Sequence, residues 1–479
     1  MLLKNLLSSF CLLFVFTLSA QLIDWEPEIT VAENTYGNVR PRIVLNKDQN
    51  PVVLFGKSSL GLFVSKFENN AFQIPIQIND PNTLPYITNW TSADFAAYGD
   101  TLGVVYKVNP LETGKIYLQY SYDGGTSFTD TIPILSPQSG VTWLPNIHFD
   151  SNGNTLVSYM VHDAIWSNPR YALQRTTDFG LTFEPEVNLS SGIVEEACDC
   201  CPAELIGDDQ NQVLLFRNNS QNIRDVYAVR SLDNTFSSLQ SINTEELNWA
   251  VNSCPSTAPD GIISNNTLMS VAASRASGKF RVYLSELLLN DSITRVNTDS
   301  IMPPENYNGS QNYPRISSSN DTVVLVWQES NPSNYDVYLS YTLNGSPDEL
   351  MSSKEQINSD PAGAQLNPDV VVHNGFVHAI YQDNNGGVVK YRRGKFSALG
   401  IEESIESLVN LFPNPTNEYI VLDFPSAQEN TRYLITDFKG KTVLKGTLHA
   451  YDKMINIEKL ESGKYTIRIG SELKSFVKN

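Results

Sequence analysis

The sequence predicts an all-β chain: a seven-bladed β-propeller followed by a small Ig-like β-sandwich. Three observations carry this. An alternating strand that ends in an Asp-Gly turn recurs in one register, a Pro-led pair of short strands recurs seven times, and after Arg393 a second, shorter set of alternating strands begins. Composition narrows the function. The 479 residues carry 33 Lys and Arg against 52 Asp and Glu, a net charge of -19 without a basic block. Nucleic acid is therefore not an expected partner, because tracking a phosphate chain needs concentrated positive charge.

The recurring hairpin is clearest in YLQYSYDGGTSF, from Tyr117 to Phe128, and in YALQRTTDFGLTF, from Tyr171 to Phe183. Alternation of period two marks a half-buried strand, and the turn residues after it mark a hairpin. Ser121, Asp123, Gly125 and Phe128 match Thr176, Asp178, Gly180 and Phe183. The hydroxyl and carboxylate can accept the turn's own N–H groups, Gly permits a positive φ, and the aromatic closes the turn from below. Their role is structural. Worn copies follow at YAVRSLDNTF and YLSYTLNGS.

The Pro-led pairs start at Pro41, Pro145, Pro202, Pro255, Pro314 and Pro368, with a Pro-less copy at Ala93. Their spacing of roughly 50–60 residues is that of propeller blades. Each unit then reads as four strands, the last led by an aromatic or Leu: FQIPIQI, FTDTIPIL, FEPEVNL, FSSLQSI, and looser versions near Ile293 and Leu350. The seventh unit lacks this strand, whereas WEPEITV at Trp25 precedes the first. The expectation is that Trp25–Val31 completes the last blade and closes the ring, which leaves no exposed sheet edge.

Residues 1–20 read as a secretory signal peptide: Lys4, a short apolar run and a closing Leu18-Ser19-Ala20. No other segment is apolar enough to span a bilayer, so the mature chain is expected to have no transmembrane segment. Residues 21–393 are the repeat array, 394–409 a linker, and 410–479 a small sandwich. In this last part Phe412-Pro413-Asn414-Pro415, Asp437-x-x-Gly440-Lys441, Leu460-x-Ser462-Gly463-x-Tyr465 and the terminal Phe476-Val477-Lys478 closely resemble the C-terminal sorting domain of the type IX secretion system of Bacteroidetes. The resemblance implies a type IX machinery partner, export through periplasm and outer membrane, removal of the domain, and release or surface anchoring.

The array itself resembles the sialidase-like proteins with Asp-box (BNR) repeats. That resemblance implies a six-bladed alternative and an exo-sialidase-like glycoside hydrolase as an alternative function. The family also carries an Arg-Ile-Pro motif, an arginine triad, an acid/base Asp and a Tyr nucleophile aided by a Glu. Here the chain departs: Arg40-Pro41-Arg42-Ile43 belongs to the general strand pattern. No catalytic residue is assigned.

The residue after each marker places Arg42, Asp94, Asn146, Ala203, Ser256, Arg315 and Asp369 at the pore mouth, with Arg40 and Tyr313 just before it. Arginine forks suit a carboxylate. The expected ligand is a glycan or another carboxylated or polyhydroxylated molecule, held by Arg40, Arg42, Asp94, Tyr313, Arg315 and Asp369, and bound rather than cleaved. Replacing Arg42 and Arg315 is expected to cost binding but little stability. A surface adhesin or structural protein is the remaining class.

Cys198, Cys200, Cys201 and Cys254 remain after the signal peptide, an even number in an exported chain, and are expected to form two disulfides. Cys198 or Cys200 is the expected partner of Cys254, since Cys201 starts an adjacent strand. A thiolate metal site is the alternative, disfavoured by the absence of a nearby His and by an oxidising compartment. His148, His162, His373, His378 and His449 form no ligand motif, and the acidic turns after Asp150 and Asp208 read as plain hairpins. No P-loop, dinucleotide fingerprint, HExxH or nucleophile elbow is present, so neither a cofactor nor a metal is expected.

Overall fold

The computed structural model describes residues 23–479 except 137–139, 165, 191, 234–235, 302–308, 332–333, 353, 398–409, 424–430, 438–440, 449–453 and 470–471. The expected signal peptide, most of the expected linker, Gly440 and His449 lie outside the described residues. The chain divides into two compact units, one ending at Ser397 and one after it.

The first unit is built from seven antiparallel sheets among the described residues. The second sheet shows the pattern: Asp94–Tyr98, Thr101–Lys107, Ile116–Ser121 and Ile132–Ile134 pair in sequence order. The first strands of the other sheets are Arg42–Leu45, Thr142–Phe149, Glu204–Gly207, Asp260–Ser264, Gln311–Ser319 and Gln365–His373. Each lies against the first strand of the next sheet, and Gln365–His373 also lies against Arg42–Leu45. The middle strands do not alternate, because both faces are covered. In Thr322–Ser330, Val323, Val324, Leu325, Val326 and Trp327 are all fully buried, each contributing about 1.5–3 kcal/mol.

A separate apolar core fills each gap between successive sheets. Val52, Leu54 and Val64 meet Phe95, Leu102 and Val104 between the first two. Val53, Phe55 and Phe63 meet Ile380, Val389 and Tyr391 between the first and the last. The N-terminal segment adds to the last sheet, Ile23 opposite Phe396, Trp25 opposite Gly394 and Ile29 opposite Tyr391.

The hairpin motif is satisfied within itself. Gly125 N–H donates to Ser121 Oγ at 2.8 Å, Ser127 N–H to Asp123 Oδ1 at 2.9 Å and Ser127 Oγ to Asp123 Oδ2 at 2.6 Å. Gly180 N–H and Thr176 Oγ1 repeat the first bond at 2.8 Å, and Thr182 Oγ1 donates to Asp178 Oδ2 at 2.7 Å. Gly125 and Gly180 take φ of 92° and 84°, where a Cβ would be strained. Partial burial acts to raise the Asp123 carboxyl, but its hydrogen bonds to Ser127, Ser121 and Thr126 together outweigh this and hold it at about 2. The carboxylates of Asp150 and Asp208 likewise accept their own turns' N–H groups.

One expected strand is misplaced. Leu350 lies in a helix, Pro347–Ser352, and the sixth sheet's last strand is Glu355–Gln356. Pro347 opens that helix with Asp348 and Glu349 in its first turn, residues that favour a helix N-terminus.

The second unit holds a three-stranded sheet (Asn410–Phe412, Tyr419–Asp423, Met454–Asn456) and a four-stranded one (Thr442–Leu448, Thr431–Asp437, Gly463–Ile469, Glu472–Lys478). Ile420, Leu422, Ile435, Ile455, Ile467 and Phe476 are buried between them, in a sandwich-like arrangement.

Candidate functional site

The first strands meet through polar side chains, one from every sheet. Asp94 Oδ2 accepts Ile147 N–H at 2.9 Å and Asn146 Nδ2 at 2.7 Å, while Arg42 Nε lies 3.4 Å from Asp94 Oδ1. Asn146 also donates to Glu204 Oε1 at 3.2 Å and accepts Leu205 N–H at 2.6 Å. Arg315 is the hub: its Nη1 donates to Glu204 Oε2 at 2.6 Å, and its Nε lies 3.2 Å from Asp369 and 3.4 Å from Asp260. Asp260 and Asp369 each accept a backbone N–H from the following first strand, Ile316 at 2.8 Å and Ile43 at 3.0 Å. These acids join neighbouring sheets.

Two members escaped the sequence analysis. Ala203 and Ser256 do not hold the positions where the first strands meet; Glu204 and Asp260 do. Pro259-Asp260 repeats Pro368-Asp369, so Pro259 rather than Pro255 is the marker. For Glu204 no comparable proline stands next to it, and only strand register identifies it.

The marker proline coincides with a kink. Arg40, Leu144, Tyr313 and Asn367, each directly before it, have φ of 45°, 50°, 50° and 48°, and the ladders shift register at Trp143/Asn146, Asn312/Arg315 and Leu366/Asp369. Left-handed backbone at non-glycine residues costs about 1–3 kcal/mol and persists where the surroundings enforce it. At three of these positions the consequence is a shared recess: Arg40, Tyr313 and Asn367 line it with Arg42 and Arg315. Arg40 Nη1 donates to Asn367 Oδ1 at 3.0 Å, and its guanidinium lies 5.1 Å from the Tyr313 ring centre. Nε of Arg40 has no hydrogen-bond partner among the described residues. Of the expected ligand residues, Arg40, Arg42, Tyr313 and Arg315 thus come together in one narrow recess. Asp94 and Asp369 are buried and bonded to neighbouring first strands.

Burial sets the charge state. It lowers Arg40 to about 9, helped by repulsion from Arg42. Burial pushes Asp94 up to about 6 and Asp260 up to about 7, with Glu204 adding to both and Arg42 or Arg315 opposing. Arg315 is held charged, because Asp260, Glu204 and Asp369 outweigh its desolvation. Between about pH 4 and 7 the folded chain therefore binds more protons at Asp94 and Asp260 than the unfolded chain, so their contribution to stability falls as pH rises. The melting temperature is expected to show this decline. It should be shallower in Asp260→Asn, which keeps an acceptor for Ile316 N–H; identical slopes in calorimetric scans would remove Asp260 from the account.

A wall of aromatic rings begins beside the recess. Asn367 Nδ2 donates to the carbonyl of Asn89 at 3.4 Å. The next residue, Trp90, packs edge-on against Trp143 at 5.6 Å, and Trp143 packs against Trp166 at 5.7 Å. Trp143 Nε1 donates to His162 Nε2 at 3.0 Å, and Trp166 is 38% exposed. Three of the chain's six tryptophans gather here, from loops and a strand that sequence spacing does not connect. The cysteines pair as Cys198–Cys201 and Cys200–Cys254.

Residues 410–479 match the family model described as the secretion system C-terminal sorting domain. The chain is accordingly an exported protein, secreted or at the cell surface. No helix among the described residues is long and apolar enough to cross a membrane. No curated protein matches the chain. Among solved structures it is similar to an ulvan lyase of a polysaccharide lyase family, at 9% identity, with 76% of this chain and 95% of the lyase covered and a TM-score of 0.51. A protein of unknown function from Dyadobacter fermentans matches at 11% identity over 79% of this chain and all of its own, with a TM-score of 0.46. An α-L-arabinanase from Penicillium chrysogenum matches at 10% identity over 78% and 99%, with a TM-score of 0.44. The likeness to the lyase is one of fold.

Proposed function

We propose that the first unit is a closed seven-bladed propeller that binds a carboxylated glycan outside the cell, with the carboxylate at the mouth of the central recess, whose own cavity of about 10 Å³ has room for no more than a water, and a sugar ring against the exposed Trp166. The cyclic order of first strands and inter-sheet cores supports the ring. The observation that carries the ligand class is the convergence of Arg40, Arg42, Tyr313 and Arg315 on one recess. A guanidinium fork pairs with a planar carboxylate, and aromatic faces suit the apolar faces of sugars. Binding without turnover is favoured because Asp94, Glu204, Asp260 and Asp369 already bond to neighbouring strands or to Arg315. Hydrolysis would need a pair of carboxyls facing the substrate.

The test is a glycan array probed with the full chain, beside Arg40→Ala and Trp166→Ala. Neither change touches the Arg315 ion pairs. Each is expected to weaken binding of acidic glycans about tenfold or more. Unaltered binding by both variants would refute the site, and release of sialic acid or shortened glycans by the wild-type chain would replace binding with catalysis.

A further inference from the structure

Four sulfurs from two segments meet at one point. Cys198 and Cys201 are buried, and Cys200 and Cys254 are partly exposed. Although the sulfurs pair as two disulfides, each lies within 4.8 Å of every other, and Cys198 Sγ is 3.4 Å from Cys254 Sγ across the pairs. Four thiolates around a tetrahedral zinc ion, with Zn–S near 2.3 Å, would stand about 3.8 Å apart.

The surroundings suit an ion held by thiolates. Ser256 Oγ donates to Cys200 Sγ at 3.7 Å, the kind of outer hydrogen bond that orients a ligand. A zinc tetrathiolate carries two negative charges, which favours a nearby cation. Arg224 is 6% exposed, and its Nε and Nη1 have no hydrogen-bond partner among the described residues. It interacts electrostatically with Asp199, the residue between Cys198 and Cys200, whose carboxylate Oδ1 lies 3.4 Å from Cys254 Sγ. The partly exposed Cys200 and Cys254 leave a route of entry from solvent, which a metal site requires.

We propose that Cys198, Cys200, Cys201 and Cys254 in their thiol form are a tetrathiolate zinc site, and that the two disulfides are its oxidised, metal-free form. Zinc binding displaces four protons from four thiols. Oxidation of the filled site forms two S–S bonds and releases Zn²⁺ and four electrons. Two protein disulfides of the thiol-oxidase class accept these electrons, each taking up two protons to become two thiols. The soft sulfur donors select zinc over the hard cations calcium and magnesium.

The test uses the full chain, reduced by a phosphine under argon, freed of reductant and titrated with Zn²⁺ against a chromophoric chelator. One zinc per chain is expected, bound at least ~100-fold more tightly than by Cys254→Ser or Cys200→Ala, since loss of outer-shell partners alone costs ~10–100-fold. Co²⁺ in place of zinc should give sulfur-to-cobalt charge-transfer and tetrahedral d–d bands. Absence of stoichiometric zinc, or equal affinity in the variants, overturns the proposal. Should both variants misfold, the wild-type chain decides alone: zinc should protect four thiols from alkylation as counted by mass, and alkylation at the zinc-free rate overturns it.

Discussion

Replacement of Arg315 by alanine is expected to destabilise the first unit by about 3–5 kcal/mol, the range for breaking a buried ion pair and leaving its partner uncompensated. The side chain is 14% exposed and reaches Glu204, Asp260 and Asp369 from three other sheets. Removing it leaves three carboxyls close together in a poorly solvated place. They can recover part of the loss by taking up a proton, so the destabilisation should be smaller near pH 5 than near pH 8. Arg42→Ala should cost less, since among the described residues Arg42 forms an ion pair with Asp94 alone, at 3.4 Å. Urea denaturation at both pH values checks this, and equal losses for the two arginines would contradict the hub role. The sequence-based expectation that both could be replaced with little loss of stability took them as pore-mouth residues free to meet a ligand. The structure gives Arg315 three buried partners, so a loss of binding in that variant would not report on the ligand.

Deleting residues 410–479 is expected to abolish appearance of the protein outside the cell, with nearly all of it retained behind the outer membrane. Immunoblots of cell-free medium, together with surface proteolysis of intact cells, measure the outcome. A point substitution makes the result specific. Ile435 is fully buried in the small sandwich, and Ile435→Asp places an unpaired charge there, at a cost of several kcal/mol that the small core cannot offset. It should reproduce the deletion if a folded sorting domain is what the machinery reads. Normal export of the truncated chain would remove the sorting role, whereas normal export of Ile435→Asp with loss in the deletion would show that a linear signal suffices.

Several features were legible residue by residue because the atoms that satisfy them lie close in sequence. Ser121, Asp123, Gly125 and Ser127 complete one another's hydrogen bonds within seven residues, so a local pattern is enough to predict the turn and its role. The apolar middle strands, the repeat period and the small sandwich were readable for the same reason: covering a strand on one face or on both leaves its mark directly on the residues of that strand. Even the orphan N-terminal strand announced its place, because one repeat lacked the strand that another end of the chain supplied.

The site depended on what sequence spacing does not encode. Asp260 was obscured by an earlier proline, and Glu204 by a marker one residue out of step; in a strand, a shift of one residue moves a side chain to the opposite face. Arg40, Tyr313 and Asn367 share a recess because left-handed kinks redirect the chain before three prolines. Arg315 reaches Glu204 across 111 positions of sequence, and three tryptophans gather from separate segments. By itself the sequence determined most of the strands, their turns, the repeat and the export domain, since each rests on neighbours a few residues away. Only the tertiary structure decided which polar groups bond to other sheets and which face the recess, because burial and pairing are properties of the packed sheets and not of any one of them.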